Sequence, residues 1–545
     1  MSKKVLIIIS FSFFLFCQRT AQAQSSGISK VWVPDLGNGH YKNPILFADY
    51  SDPDVCRVGK DYYLVASSFD AVPGLPILHS NDLVNWTIVG HALLRQPPYE
   101  HFSKTQHGNG VWAPAIRYHN DSFYIYYPDP DFGIYVVKAK KVTDTWTDPV
   151  LVESGKGLED PCPFWDNDGQ GYLVNAFAGS RAGIRNILVL HKLIEAGTKL
   201  QGEGVIVYDG HKDDPGIEGP KMYKRNSYYY IFAPAGGVSG GYQMVLRSKN
   251  IYGPYERKTV MHQGGTAING PHQGAWVTTP DGKQSWFIHF RDMDAYGRVD
   301  YLEPMVWKND WPVIGVDKDG DGIGEPVTSY TKPDVGKTYP IATPQTSDEF
   351  NEHALGLQWQ WQANPKATWH YMTSTGALRL YTSPLQKGYK NYWDVPNILM
   401  QKFPADKFIA TTKLTFHAMQ DQDKVGFGVM GMDYAYLSLT KENNAFKISV
   451  VSCKNAVDGA KENEQVIQST GDSTVFFRVK VAAGAKCQFS YSVDGKEYIN
   501  VGNSFQAKEG KWIGAKLGLF CTSANWYKDA GFADFDWFHI EPLTN

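Results

Sequence analysis

Short apolar and aromatic runs recur through the first 335 residues, each preceded by a Pro- or Gly-containing start and a turn. Five copies follow one another at intervals of about fifty residues: 52–55 with 61–65, 113–116 with 122–126, 160–164 with 171–174, 218–222 with 228–231, and 270–276 with 286–288. Each copy continues into further short strands. Four antiparallel strands per repeat are typical of a propeller blade, whereas an immunoglobulin-like sandwich does not require a repeat of this length. The pattern predicts a five-bladed β-propeller over residues 24–335.

The pattern changes after residue 335. Residues 336–345 are rich in turn formers and predict a linker. Beyond them, apolar and polar residues alternate, as in 408–416 and 445–451, without a comparable repeat. Alternation of this kind suits two packed sheets with solvated outer faces. We therefore predict an all-β chain whose residues 346–545 form a C-terminal β-sandwich.

The first residues indicate the compartment. Lys3 and Lys4 precede an apolar stretch from Val5 to Phe16, and small residues follow at 21–23. This order is typical of a secretory signal peptide, predicted here as residues 1–23. About twelve apolar residues are too few to span a bilayer, and no later run is long enough. We expect a secreted or periplasmic protein with no membrane span, while the choice between lipoprotein and ordinary signal peptidase stays open.

Net charge and cysteine content limit the partners and stabilising sites that the protein can have. The 545 residues carry a net charge of −3, so no excess of positive charge is available for nucleic acid. After the signal peptide the cysteines are odd in number and widely scattered: Cys56, Cys162, Cys453, Cys487 and Cys521. This scatter argues against a zinc site and allows at most one disulfide, in the C-terminal half.

Acidic residues open three of the five predicted blades. They are Asp52, Asp160 and Glu218, while Ala113 and Gly270 open the other two. Inner strands of a propeller line its axis, so these carboxyl groups are expected to converge, and mutual repulsion then favours one protonated and one ionised member. Such a pair can protonate a leaving oxygen and activate water, as glycoside hydrolysis requires. The alternative is that each carboxylate only caps a turn.

These motifs resemble glycoside hydrolase family 43. The resemblance rests on 43–46 with 51–57 and 61–64, on 111–114, and on 218–220 with 228–230; residues 518–521 and 533–538 resemble the concanavalin-like sandwich of β-xylosidase-type members. It implies that Asp52 is the general base, Glu218 the general acid and Asp160 the residue that tunes and orients its partner. It also implies inversion at the anomeric carbon, with carboxyl groups roughly 6.5 to 9.5 Å apart.

Further residues are candidates for substrate binding. Arg298 lies where the family has a substrate-binding arginine, and Phe69 and Trp112 offer ring faces to a sugar. Where many family members have a histidine near a central water or calcium, either His272 or Gln273 takes that place.

Metal binding is left as an option. Residues 317–322 are similar to a calcium loop, but its twelfth position is Thr328, so a turn with optional structural calcium is expected. No cofactor is predicted to be required and no catalytic metal is assigned.

The predicted function is exo-acting release of terminal β-D-xylosyl or α-L-arabinofuranosyl units from xylan-, arabinoxylan- or arabinan-derived oligosaccharides. Residues 523–526 are predicted to close the sugar pocket from the sandwich. Two alternatives stay open: a non-catalytic carbohydrate-binding protein of the same architecture, and an arabinofuranosidase without xylosidase activity. The sequence leaves the oligomeric state undetermined.

Overall fold

The computed structural model describes residues 27–526 and 529–543. The predicted signal peptide, residues 1–23, lies outside the described residues. Regular structure is almost entirely β. The helices of the described ranges are one α-helix, α1 (Gly179–Ala182), and short 3-10 turns at His101–Ser103, Glu195–Gly197, Asp294–Tyr296, Tyr392–Asp394 and Ala456–Asp458. Across these two ranges no helix is long and apolar enough to cross a membrane.

The propeller consists of five four-stranded antiparallel sheets, each continuous in the chain. A short strand β1 (His40–Lys42) precedes them. The blades are β2 (Asp54–Val58), β3 (Asp61–Val65), β4 (Gly74–Ser80) and β5 (Thr87–Leu93); β6 (Ala115–His119), β7 (Ser122–Asp129), β8 (Gly133–Ala139) and β9 (Val150–Ser154); β10 (Leu158–Trp165), β11 (Gly171–Phe177), β12 (Ile187–Ile194) and β13 (Lys199–Asp209); β14 (Lys221–Arg225), β15 (Tyr228–Ala235), β16 (Tyr242–Ser248) and β17 (Glu256–Met261); β18 (His272–Thr278), β19 (Ser285–Asp292), β20 (Arg298–Lys308) and β21 (Trp311–Ile314). The predicted five-bladed propeller is confirmed.

The ends of the propeller are joined by the segment that precedes the first blade. β1 pairs with β22 (Ser329–Thr331), and the Asn43 side-chain amide donates to the carbonyl oxygens of Leu302 (2.9 Å) and Val327 (2.8 Å). Buried apolar residues of blades one and five, including Leu64 and Ile288, share one core cluster. The ring is thus closed without a strand crossing from one blade into another.

Residues 360–541 contain a sandwich of two antiparallel sheets, with one short parallel pairing. Its strands are β23 (Gln360–Trp361), β24 (His370–Met372), β25 (Leu378–Tyr381), β26 (Ser383–Pro384), β27 (Leu399–Lys402), β28 (Phe408–His417), β29 (Lys424–Met430), β30 (Tyr434–Glu442), β31 (Ala445–Cys453), β32 (Asn463–Thr470), β33 (Thr474–Ala482), β34 (Lys486–Ser492), β35 (Ile499–Gln506), β36 (Lys516–Ser523) and β37 (Phe532–Glu541). One sheet has the order β23-β27-β36-β29-β30-β31-β32 with β26 parallel to β36, and the other β24-β25-β37-β28-β33-β34-β35. The predicted concanavalin-like sandwich is confirmed.

Alternation along the strands explains the core of the sandwich. In β33 the residues Val475, Phe477, Val479 and Val481 are buried, while the residues between them are more exposed. Inward-facing side chains of the two sheets therefore fill one apolar layer. All five cysteines of the described chain are buried thiols, so the single disulfide that the sequence allowed does not form.

Candidate active site

Three carboxyl groups from three blades line one cavity of about 880 Å³ at the mouth of the propeller. Asp52 lies just before β2, Asp160 lies within β10, and Glu218 precedes β14. Asp52 and Asp160 are buried, whereas the Glu218 side chain is 32% exposed. The starts of these inner strands therefore bring together side chains that are up to 166 residues apart in the sequence.

The backbone corrects the predicted register of the blade starts. Asp52 (φ 55°), Asp160 (φ 55°), Gly219 (φ 60°) and Gln273 (φ 45°) share a left-handed conformation at equivalent positions. Glu218 therefore lies one residue ahead of its expected position, and Gln273, not Gly270, occupies the position in the fifth blade. Glycine at 219 leaves room for the Gln273 side chain, since a Cβ atom there would lie 2.3 Å from the Gln273 side-chain oxygen. The longer glutamate side chain still reaches the cavity from the preceding position.

Asp52 accepts hydrogen bonds on both carboxylate oxygens. The Ser67 hydroxyl donates to Oδ2 at 2.5 Å, and Arg298 Nη1 donates to Oδ1 at 3.0 Å. The Arg298 guanidinium also lies 4.9 Å from the centre of the Phe290 ring. Arg298 is therefore a half-buried partner of Asp52 and not a solvated surface arginine. Donors on both oxygens fix the orientation of the Asp52 carboxyl group.

Asp160 accepts both of its hydrogen bonds on one oxygen. Its Oδ2 accepts from the Gly219 amide (2.7 Å) and from Gln273 Nε2 (2.9 Å). Burial, followed by the negative charge of Glu218, raises the pKa of Asp160 to about 7, although Lys221 opposes the shift. Asp160 therefore keeps a proton under conditions in which an ordinary aspartic acid is ionised.

Glu218 is paired with His272. The distance from His272 Nε2 to Glu218 Oε1 is 2.6 Å, and the histidine is 1% exposed. Burial opposes ionisation of Glu218, but the hydrogen bond and charge of His272 outweigh it and lower the pKa of the carboxyl group. His272 and Gln273 thus both belong to the site, because one contacts Glu218 and the other Asp160.

Two aromatic residues line the cavity as predicted candidates for sugar binding. Phe69 exchanges two backbone hydrogen bonds with Val111, which fix it beside Trp112. Trp112 donates from its indole nitrogen to the Gly108 carbonyl oxygen at 2.9 Å. Their positions leave apolar ring surface on the wall of the cavity.

A fourth carboxyl group, that of Glu159, lines the cavity and was not predicted from the sequence. Alternation would direct Glu159 away from a cavity that contains Asp160, but a β-bulge between Glu159 and Cys162 sends both side chains to it. Burial and the charge of Asp160 raise the pKa of Glu159 well above its usual range. Pro161, directly after Asp160, is the feature of the sequence that could have indicated this bulge. Arg185 also lines the cavity and lies in the exposed segment between α1 and β12.

The sandwich reaches the cavity through a different loop from the one predicted. Trp512, between β35 and β36, lines the cavity. By contrast, Trp526, in the predicted loop 523–526, is 78% exposed and is not a lining residue. Lys511 and Trp512 pack closely against Gly108 of the propeller, where a Cβ atom would lie 2.5 Å from Lys511 Cγ. This contact completes the wall near Trp112.

The residues that the structure describes contain no cluster of three His, Cys, Asp or Glu side chains able to hold a metal ion. In the stretch 317–322, Asp317 accepts hydrogen bonds from the amides of Gly320 (2.7 Å) and Gly322 (3.2 Å) and contacts Lys308 Nζ at 3.0 Å. These bonds close a turn. Structural calcium stays a prediction.

Comparison with known proteins extends over both halves of the chain. The family described as Glycosyl hydrolases family 43 matches residues 41–312, and the Beta xylosidase C-terminal Concanavalin A-like domain matches residues 347–541. A protein of Xylanibacter ruminicola is 38% identical over 493 residues, which cover 90% of this chain and 87% of that protein. The beta-xylosidase of Formosa agariphila is 33% identical, covering 98% and 97%.

More distant relatives share the whole architecture. The non-reducing end alpha-L-arabinofuranosidase of Bacteroides ovatus is 29% identical, covering 94% of this chain and 97% of that protein. The crystal structure of the xylan beta-1,4-xylosidase from Bacillus halodurans superposes with a TM-score of 0.80 at 25% identity, covering 92% and 99%.

Proposed function

Because this chain belongs to the glycosyl hydrolases of family 43, we propose that it removes terminal β-D-xylosyl units from xylan-derived oligosaccharides, with α-L-arabinofuranosyl units as a second substrate. The chain is an exo-acting glycosidase. The names of its relatives, which include a beta-xylosidase and an alpha-L-arabinofuranosidase, support these two sugars. The observation that carries the proposal is the meeting of Asp52, Asp160 and Glu218 in one cavity with different partners.

Asp52 is the general base in this proposal. Arg298 and Ser67 hold its two oxygens, so the carboxyl group is fixed in orientation. A water molecule on the cavity side can transfer a proton to it while attacking the anomeric carbon. Inversion requires room for that water, and we expect the carboxyl groups of Asp52 and Glu218 to be roughly 6.5 to 9.5 Å apart.

Glu218 is the general acid and protonates the departing oxygen. In the open cavity His272 favours its ionised form. Burial acts in the opposite direction, and a bound sugar that displaces water strengthens it. We therefore expect the proton to reside on Glu218 in the substrate complex, with His272 Nε2, 2.6 Å away, as its neighbour.

Asp160 tunes the other two groups. At pH values below about 7 it is neutral, so it adds no negative charge beside Glu218 and Asp52. The amide of Gly219, the residue after Glu218, donates a hydrogen bond to Asp160. This bond fixes the backbone next to the general acid. Asp160 thus serves orientation and charge balance without contacting the leaving group.

The predicted signal sequence supports a site of action outside the cytoplasm. We propose that residues 1–23 are removed during export and that the mature enzyme begins at Gln24. Determination of the N-terminal residue of the protein recovered from the native host tests this step, and an intact Met1 in the exported protein would contradict it.

The test of function is hydrolysis followed by NMR of the first sugar released. Incubation with aryl β-D-xyloside, aryl α-L-arabinofuranoside and xylo-oligosaccharides should release single pentose units whose anomeric configuration is inverted. A retained anomer would exclude direct attack by water. Binding of these sugars without release would instead favour the non-catalytic carbohydrate-binding alternative.

A further inference from the structure

Asp49 is a buried carboxylate at the contact between the propeller and the sandwich. Its Oδ1 accepts from the Arg298 amide at 2.9 Å and from the Ser51 hydroxyl at 2.9 Å. Its Oδ2 accepts from the Gly514 amide at 3.0 Å. Asp49 is 4% exposed, so these bonds are shielded from water. One side chain therefore connects a blade-five residue to a loop of the other domain.

Two glycines make this connection possible. At Gly297 (φ 74°) a Cβ atom would lie 2.6 Å from Asp49 Cγ and 2.7 Å from the Gly514 nitrogen. At Gly514 a Cβ atom would lie 2.7 Å from the Gly297 nitrogen. The two backbones pass each other at a separation that no other residue type permits, so the position of Asp49 relative to both amides is tightly determined.

Both residues whose amides bind Asp49, Arg298 and Gly514, are close to residues that line the cavity. Arg298, whose amide binds Asp49, uses its guanidinium to hold Asp52 at 3.0 Å. Gly514 follows Trp512 by two residues, and Trp512 forms part of the cavity wall. We propose that Asp49 is a positioning residue that fixes the Trp512 loop of the sandwich relative to the arginine that orients Asp52. The role assigned to Asp52 comes from the proposed function.

Two lysines of the sandwich lie near Asp49. Lys402 and Lys516, at the neighbouring ends of β27 and β36, interact electrostatically with Asp49, although burial lowers the pKa of both lysines, that of Lys402 to about 7. Asp300 and Asp292 are the acidic neighbours on the propeller side. An amide in place of Asp49 therefore removes a negative charge from a cluster with two buried lysines, and a fall in stability is expected together with any effect on the site.

The Asp49→Asn variant distinguishes an effect on the active site from the fall in stability. An amide has one acceptor oxygen, so it cannot serve donors on both sides, and its NH2 group must face either the Arg298 amide or the Gly514 amide. We expect hydrogen–deuterium exchange to become faster in Asp49→Asn at the one amide, of Arg298 or Gly514, that loses its acceptor, and at both amides in Asp49→Ala. For xylo-oligosaccharides we expect KM to rise about tenfold with kcat changed less than threefold, whereas Asp49→Ala, which releases both amides, should also lower kcat.

Tyr296→Phe is the matched control. The Tyr296 hydroxyl joins the same two domains by donating to the Asp406 carbonyl oxygen (2.7 Å) and accepting from the Ala485 amide (2.7 Å). It does not line the cavity. We expect this variant to lower the unfolding temperature and to leave KM and the exchange of Arg298 unchanged.

The proposal is overturned if Asp49→Asn leaves KM unchanged, or if Tyr296→Phe raises KM equally. It is also overturned if exchange accelerates at only one of the two amides in Asp49→Ala. The exchange measurement does not depend on catalysis. An active Asp52→Asn variant would therefore remove the proposed function and leave the connection between Arg298 and Gly514 standing.

Discussion

Arg298 Nη1 lies 3.0 Å from Asp52 Oδ1, while its guanidinium packs against the ring of Phe290. The arginine supplies both charge and a fixed direction to the carboxylate. We expect Arg298→Ala to lower kcat/KM by about 10²- to 10³-fold and Arg298→Lys to recover only part of this loss, because lysine lacks the planar fork. Steady-state kinetics on an aryl xyloside measures the effect.

Arg291→Ala serves as the control for Arg298. Arg291 precedes it on the adjacent strand and binds Asn269 outside the cavity, at 2.9 Å. Its loss should leave kcat/KM within about twofold of the original. Equal losses of kcat/KM in the two variants would mean that activity depends on the positive charge of blade five and not on the contact between Arg298 and Asp52.

Substrates with different leaving groups distinguish the role of Glu218 from that of Asp52. An acidic phenol departs without protonation, so Glu218→Gln should retain most activity on a dinitrophenyl xyloside and lose about 10³-fold on xylobiose. Asp52→Asn removes the base and should lose a similar factor on both substrates. Comparison of kcat/KM for the two substrates checks this. An identical pattern in the two variants would contradict the assignment of acid and base.

The fold and much of the site follow from short-range sequence patterns. The blade starts at Asp52 and Asp160 are recognisable because proline follows each, and strand alternation defines the sandwich. In the fourth blade the predicted register was wrong by one residue. The left-handed position is occupied there by Gly219 and not by an acidic residue, so Glu218 was aligned with it instead. Glu159 was missed because a bulge, and not regular alternation, sends two successive side chains to the cavity.

Contacts between the domains could not be derived in the same way. The resemblance to β-xylosidase-type sandwiches suggested residues 523–526 as the loop that closes the pocket. Which loop reaches the propeller depends on how the two domains pack, and that packing includes the close approach of Gly297 and Gly514, which are 217 residues apart. Neither glycine carries a local pattern that indicates a partner.

Trp512 and Trp526 provide a direct comparison of the two loops. Trp512 forms part of the cavity wall, whereas Trp526 is 78% exposed. We expect Trp512→Ala to raise KM for xylo-oligosaccharides by about tenfold, because an aromatic wall is removed from the sugar site, and Trp526→Ala to leave it unchanged. A KM that responds to Trp526 and not to Trp512 would restore the original prediction.

Asp160→Asn should stabilise the protein at neutral pH. The folded-state pKa of Asp160 is about 7, above the usual 3.8, so its contribution to stability is fully present below pH 3.8 and is lost as the pH rises towards 7. At about 1.4 kcal/mol per pH unit, the loss above pH 7 is on the order of 4 kcal/mol. An asparagine can still accept from the Gly219 amide without having to ionise. Unfolding midpoints should therefore show a larger advantage of the variant at pH 7.5 than at pH 5, whereas Asp319→Asn, in an exposed turn, should show no such pH dependence. An advantage of Asp160→Asn that does not grow with pH would mean that Asp160 is already ionised in the folded protein at pH 5.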